Sequence, residues 1–172
     1  MAAGQDLIPV FSGSIEQLAS GHDRRAFSCG VDALDEYLRR FARQHADANV
    51  SRTYVAANGA EIRGFYSLAM SGIRKENLPA KYLDRFPNFP LPVARLARLA
   101  VAMRHQRQGL GELLLADALQ RCLRISAEIG MIGVIVDAKD EHARGWYERY
   151  EFERLPDSSL TLWLPTAAIE RL

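Results

Sequence analysis

Cysteine is almost missing from this chain: Cys29 and Cys122 are the only two in 172 residues. Two isolated thiols match neither a disulfide framework nor a metal-ligand spacing, so a reducing cytoplasm is the simpler setting. Long apolar runs are missing too. None approaches the ~18 residues of a membrane helix, and the opening Met1-Ala2-Ala3-Gly4-Gln5-Asp6 has no basic segment of an export signal. Neither export nor a membrane partner is expected. Histidine is sparse: His22, His45, His105 and His142 are scattered, and no two have the close spacing of a helical metal pair. No metal is expected. Repeats, low-complexity tracts and linkers are lacking as well, so residues 1–172 read as a single domain. Asn49-Val50-Ser51 is a glycosylation sequon by pattern only, since it lacks a secretory context.

Net charge is close to absent, at +1, but its distribution is uneven. Residues 53–107 hold nine Lys or Arg against three Asp or Glu, whereas residues 108–172 hold seven against eleven. A basic middle is a candidate surface for anions, provided that sequence neighbours stay neighbours in space.

Val31, Leu34, Leu38, Phe41 and His45 recur at helical spacing, with acids early and arginines late, which predicts a helix over 31–47. Strand formers at 51–57 and 62–73 flank Asn58-Gly59, a hairpin signal. Prolines at 79, 87, 90 and 92 punctuate a short possible helix over 80–85 and an extended loop. A strand over 93–101 follows. Leu110, Leu113, Leu114, Ala118, Cys122, Ile125 and Ile129 mark one face of a long helix ending at Gly130. Met131 to Val136 reads as a buried strand, followed by a helix over 141–150 and strands near 152–155 and 160–164. This order points to an α/β or α+β fold, with helices covering a mixed sheet.

The segment that carries chemistry joins the strand ending Leu99-Ala100-Val101 to the turn Gln106-Arg107-Gln108-Gly109-Leu110-Gly111 and the helix beyond. The first amides of a helix lack intrahelical acceptors and the helix dipole is positive there, which suits a pyrophosphate. Glycines at 109 and 111 tolerate unusual φ and keep a Cβ out of the way. Arg104 and Arg107 add charge at the rim. A dinucleotide fingerprint would need glycine where Leu114 stands, and the Gly-Lys-Ser/Thr of a P-loop is absent.

Gln106-x-x-Gly109-x-Gly111 resembles the acetyl-CoA motif of the GNAT superfamily of N-acetyltransferases. Phe27-Ser28-Cys29-Gly30-Val31, Leu34-Asp35-Glu36-Tyr37-Leu38, Gly64-Phe65-Tyr66-Ser67-Leu68, Arg98-Leu99-Ala100-Val101 and Trp146-Tyr147 further resemble the GNAT toxins of bacterial toxin-antitoxin pairs. The resemblance implies a GNAT fold, with a mixed central sheet flanked by helices, and acetyl-CoA as cosubstrate. It also implies transfer of acetyl to the α-amino group of aminoacyl-tRNA, which blocks translation. A small ribbon-helix-helix antitoxin is the implied partner, and a homodimer is the frequent assembly.

Position by position, the resemblance places Leu99, Ala100 and Val101 along the pantetheine by backbone contacts. It places Gln106, Arg107, Gln108, Gly109, Leu110, Gly111 and Glu112 at the pyrophosphate, with Ala143 and Arg144 beside the cofactor. Tyr147 matches the tyrosine near the thioester sulfur and is the candidate general acid for the departing thiolate. The Val101 amide is the candidate donor to the developing oxyanion. The family commonly has glycine just before Phe152, where this chain has Glu151. An acetyltransferase of a small-molecule amine or a protein N-terminus shares the same cofactor site and stays open, as does a catalytically idle binding module. Trp146 and Tyr150 read as packing, and Cys29-Gly30 as a packed turn.

Overall fold

The computed structural model describes residues 11–172, so the opening residues read above for an export signal lie outside the described residues. The strands are β1 (Ser14–Gln17), β2 (Arg52–Asn58), β3 (Glu61–Ile73), β4 (Leu91–Val101), β5 (Gly133–Asp137), β6 (Glu153–Arg154) and β7 (Thr161–Pro165). The α-helices are α1 (Asp32–Glu36), α2 (Ala42–Asp47), α3 (Leu110–Glu128), α4 (Glu141–Glu148) and α5 (Thr166–Ile169). The strands form one mixed sheet in the order β1-β2-β3-β4-β5-β7-β6. The pair β4–β5 is parallel, whereas β1–β2, β5–β7 and β6–β7 are antiparallel. This is the mixed α/β architecture expected from the order of elements.

By contacts the chain falls into two compact units, and β3, β4 and α3 contribute residues to both. The first contains the described residues up to Tyr66 together with Leu99–Ala116. Its core gathers Phe27, Tyr37, Leu38, Val55 and Phe65, with the Phe27 ring edge-on to Phe65 at 5.4 Å. The Tyr37 hydroxyl lies 3.1 Å from Ser51 Oγ and 3.2 Å from Thr53 Oγ1, so this buried polar group is satisfied. The β2–β3 hairpin turns at Gly59, whose φ of 60° suits glycine, as Asn58-Gly59 predicted.

The second unit comprises Ser67–Arg98 and Asp117–Leu172. Its core includes Val93, Ile135, Tyr82 and Trp163, with the Tyr82 and Trp163 rings edge-on at 4.8 Å. Four of the five β5 residues are buried, which is why the sequence there is an apolar run rather than an alternation.

Three expectations change. The helix over 31–47 is interrupted by a π-helical segment, Tyr37–Phe41, between α1 and α2. That wider turn advances the register by one residue, so Ala42 is fully buried and Phe41 is 41% exposed. On α3, Leu115 and Leu119 take core positions, while Leu113 and Ile125, like Ile129 just past the helix, are exposed. The helix over 80–85 shrinks to the 3₁₀ turn Ala80–Tyr82, closed by short-range bonds such as Tyr82 N–H to Pro79 O at 3.0 Å. The short elements β1 and α5 were not anticipated, because neither carries a periodic apolar signal long enough to read.

Candidate active site

The register of the β4–β5 ladder ends at Leu96 opposite Val136, and β4 runs on through Leu99, Ala100 and Val101. Ala100 is buried, with Leu99 and Val101 partly exposed on either side of it. Across from this strand end is Gly64, where an added Cβ would lie 3.0 Å from Ala100 O and 2.8 Å from Leu114 Cδ1. Glycine lets β3 approach that closely. The loop leaving β4 is pinned by Ala102 N–H to Arg63 O at 2.8 Å and Met103 N–H to Ser28 O at 2.9 Å. His105 Nε2 lies 3.0 Å from Glu61 Oε1, and this hydrogen bond is the main cause holding the Glu61 carboxyl below its usual range.

The turn that follows has left-handed backbone at Arg107 (φ 62°) and Gly109 (φ 84°) before α3 opens at Leu110. Alternation of left-handed with ordinary residues tilts successive N–H groups toward one side, the geometry of an anion-binding nest. An added Cβ at Gly109 meets nothing within 4 Å, so glycine is required there by φ rather than by space. Gln106, Arg107, Gln108 and Glu112 are exposed, and Leu110 is buried against the core. The turn, the strand end and the fixed loop between them belong to the first compact unit.

Tyr147 and Ala143 belong to the second unit, on α4. Asp140 caps that helix, its Oδ1 accepting from the Ala143 N–H at 2.8 Å. The Ala143 amide is therefore engaged within the protein. Tyr147 is only 7% exposed, its ring edge-on to Trp146 at 5.0 Å and Phe152 at 5.5 Å. Burial, and secondarily the charge of Asp137, push its phenol well above the ordinary tyrosine range. The phenol thus keeps its proton at neutral pH and is available as a donor. Asp137, at the end of β5, is paired with Arg95 and accepts from Thr161 Oγ1 at 3.2 Å.

Glu151 has φ 68°, so the turn keeps the left-handed backbone that glycine usually supplies, with a side chain that fits it poorly. Trp146 also packs edge-on against Tyr150 at 5.1 Å, in keeping with a packing role for both. Cys29 and Cys122 are buried and free, and burial pushes their thiols up to about 11 and about 12, respectively. Neither is a thiolate at neutral pH. Among the described residues no group of three or more His, Cys, Asp or Glu could hold a metal ion.

Sequence reasoning missed Asp35, a carboxylate only 6% exposed that accepts from the Cys29 N–H at 2.9 Å. An acid on the buried side of an amphipathic helix is the signal that marks it.

A family model described as an acetyltransferase (GNAT) domain matches residues 28–161. A Mycobacterium tuberculosis protein named tRNA-acetylating toxin is 34% identical over 148 residues, 86% of this chain and 89% of the relative. Among solved structures, AtaT complexed with acetyl-methionyl-tRNAfMet aligns with a TM-score of 0.85 at 28% identity, covering 92% of this chain and 97% of that one. A tyrosine-to-phenylalanine mutant of AtaT, bound to acetyl-CoA and the C-terminus of the antitoxin AtaR, aligns with a TM-score of 0.78 at 28% identity, covering 92% and 96%. The match of sequence and fold is nearly end to end, and the chain belongs to the GNAT acetyltransferases.

Proposed function

We propose that this chain is a single-domain toxin that transfers acetyl from acetyl-CoA to the α-amino group of aminoacyl-tRNA in the cytoplasm and so blocks translation. Its restraining partner is a small ribbon-helix-helix antitoxin, and it assembles as a homodimer. The observation that supports the acceptor is the extent of the likeness to the tRNA-bound AtaT structure, which reaches far beyond the cofactor turn.

The residues present suit acetyl-CoA. Left-handed backbone at Arg107 and Gly109, followed at once by a helix of 19 residues, provides convergent amides for a pyrophosphate. Gln106, Arg107, Gln108, Gly109, Leu110, Gly111 and Glu112 form this cradle. Leu99, Ala100 and Val101 run past the end of the β4–β5 ladder, so their backbone groups serve the pantetheine amides. Ala143, with its own amide capped, contributes its methyl surface. When bound, acetyl-CoA supplies an acetyl group activated as a thioester. Toward that group, the Val101 N–H would serve as donor to the oxygen that gains negative charge, and the Tyr147 hydroxyl would serve as proton donor to the thiolate. An α-amine has a pKa near ~7.7, lowered further by an adjacent ester, so a strong protein base is unnecessary.

The test is labelled acetyl-CoA with a mixed aminoacyl-tRNA pool, deacylated tRNA, small amines and a peptide in parallel. Label is expected in aminoacyl-tRNA alone, and it should leave with the amino acid on mild alkaline hydrolysis. Label in the small amines or the peptide alone would overturn the proposed acceptor, and none in any of them would favour a binding module.

A further inference from the structure

We propose that Gln106 is a positioning residue for acetyl transfer, acting through the peptide plane between Val101 and Ala102 and anchored through Cys29 to the buried carboxylate of Asp35. The proposal rests on the acetyltransferase reading above and assigns a task to a segment, Phe27 to Asp35, that the cofactor turn does not itself contain.

The Gln106 side-chain nitrogen donates to two backbone carbonyls, Cys29 O at 3.0 Å and Val101 O at 2.9 Å. A primary amide nitrogen has two protons. Both are engaged by these carbonyls, so the side-chain N–H groups of Gln106 are not phosphate donors. They instead tie together the end of β4, the loop before α1 and the start of the phosphate turn.

The peptide from Val101 to Ala102 is held at both ends. Its carbonyl accepts from Gln106, and its N–H donates to Arg63 O at 2.8 Å. A planar peptide fixed at both polar atoms cannot swing. The Val101 N–H, proposed to meet the developing charge, belongs to the preceding peptide, which can turn against this fixed plane only through the two backbone torsions of Val101. Preorganised direction is what gives such a donor its effect.

The anchor on the other side is equally complete. Ser28 O accepts from the Met103 N–H at 2.9 Å, and the Cys29 N–H donates to Asp35 Oδ1 at 2.9 Å. The peptide from Ser28 to Cys29 is thus also fixed at both ends. Its acceptor is a carboxylate on α1, which makes a stronger bond than a neutral oxygen. Gly30, with φ 87°, then turns the chain into α1. Position 29 acts here through its backbone. Its thiol is buried and donates to Val31 O at 3.6 Å.

The experiment uses the whole protein and the variants Gln106→Met and Asp35→Asn, both close in shape to the parent. Steady-state kinetics on aminoacyl-tRNA, calorimetry with acetyl-CoA and amide hydrogen exchange at Ala102 are read for each. Loss of two neutral hydrogen bonds should lower kcat for Gln106→Met by on the order of tenfold and speed Ala102 exchange comparably. Acetyl-CoA affinity and KM for tRNA should change less than kcat. Asp35→Asn should move the same two readouts in the same direction by a smaller factor, and the double variant should fall short of the product of the two.

Loss of acetyl-CoA affinity in Gln106→Met with unchanged kcat and unchanged Ala102 exchange would make the side chain a ligand and overturn the proposal. Independent, multiplicative effects of the two variants would remove Asp35 from it. If the parent protein acetylates no tRNA, the acceptor reading fails, whereas exchange at Ala102 still decides the role of Gln106.

Discussion

Replacing Glu151 by glycine should stabilise this protein, although it removes a charged side chain from an exposed position. Glu151 sits just past the end of α4 with φ 68°, and its N–H reaches back to Glu148 O at 3.2 Å. An L-residue held in left-handed backbone costs roughly 1–2 kcal/mol. Glycine relieves that strain but loses about 0.5–1 kcal/mol through the greater freedom of its unfolded chain. The difference is a net gain of up to about 1.5 kcal/mol, which for a chain of this size raises Tm by up to roughly 6 °C. Scanning calorimetry and the urea midpoint should agree on the sign. Acetyl transfer should stay at the parental rate, because the left-handed turn that leads to Phe152, and so the packing of Phe152 on Tyr147, is kept. Asn49 provides the contrast: its φ is 62°, but asparagine tolerates that region and its Oδ1 accepts from Arg52. Asn49→Gly should therefore give no gain. A lower Tm for Glu151→Gly would refute the reasoning, since it would mean that the side chain contributes more than the backbone strain removes.

Tyr147→Phe should keep the fold and acetyl-CoA affinity while lowering kcat by about 10²- to 10⁴-fold, as loss of a proton donor does; a rate within a few-fold of the parent would make Tyr147 a wall of the cleft. In single-turnover measurements, acetyl transfer should rise with pH as the acceptor ammonium deprotonates below about 8. It should show no alkaline fall through the ordinary tyrosine pKa of 10.0, because a raised pKa keeps the Tyr147 phenol protonated to higher pH. A decline beginning near neutral pH would show that some other group carries the proton. Gly64→Ala places a methyl 3.0 Å from Ala100 O and 2.8 Å from Leu114 Cδ1. It should destabilise by about 1–3 kcal/mol and weaken acetyl-CoA binding by calorimetry, since Ala100 belongs to the proposed pantetheine strand.

Local patterns in the sequence determined the elements that frame the site. Asn58-Gly59 fixed the hairpin because only a few residues accept positive φ, and Gly59 has it. The unbroken apolar run before Asp137 marked a strand buried on both faces, and glycine at 109 marked the turn into α3. These features depend on neighbours a few residues away, which is the range over which propensity and periodicity act.

The tertiary structure alone decided the rest. The π-helical turn that buries Ala42 in place of Phe41 follows from how α1 and α2 must pack, and no local preference signals it. The same holds for Arg107 and Glu151, forced into left-handed backbone that their side chains disfavour. The bond from Gln106 to Cys29 spans 77 positions in the chain and becomes visible only when β4 and the loop before α1 lie side by side. A motif can name the residues at a phosphate turn, but which atoms hold that turn rigid is set by long-range packing, because the acceptors are backbone carbonyls that every residue possesses.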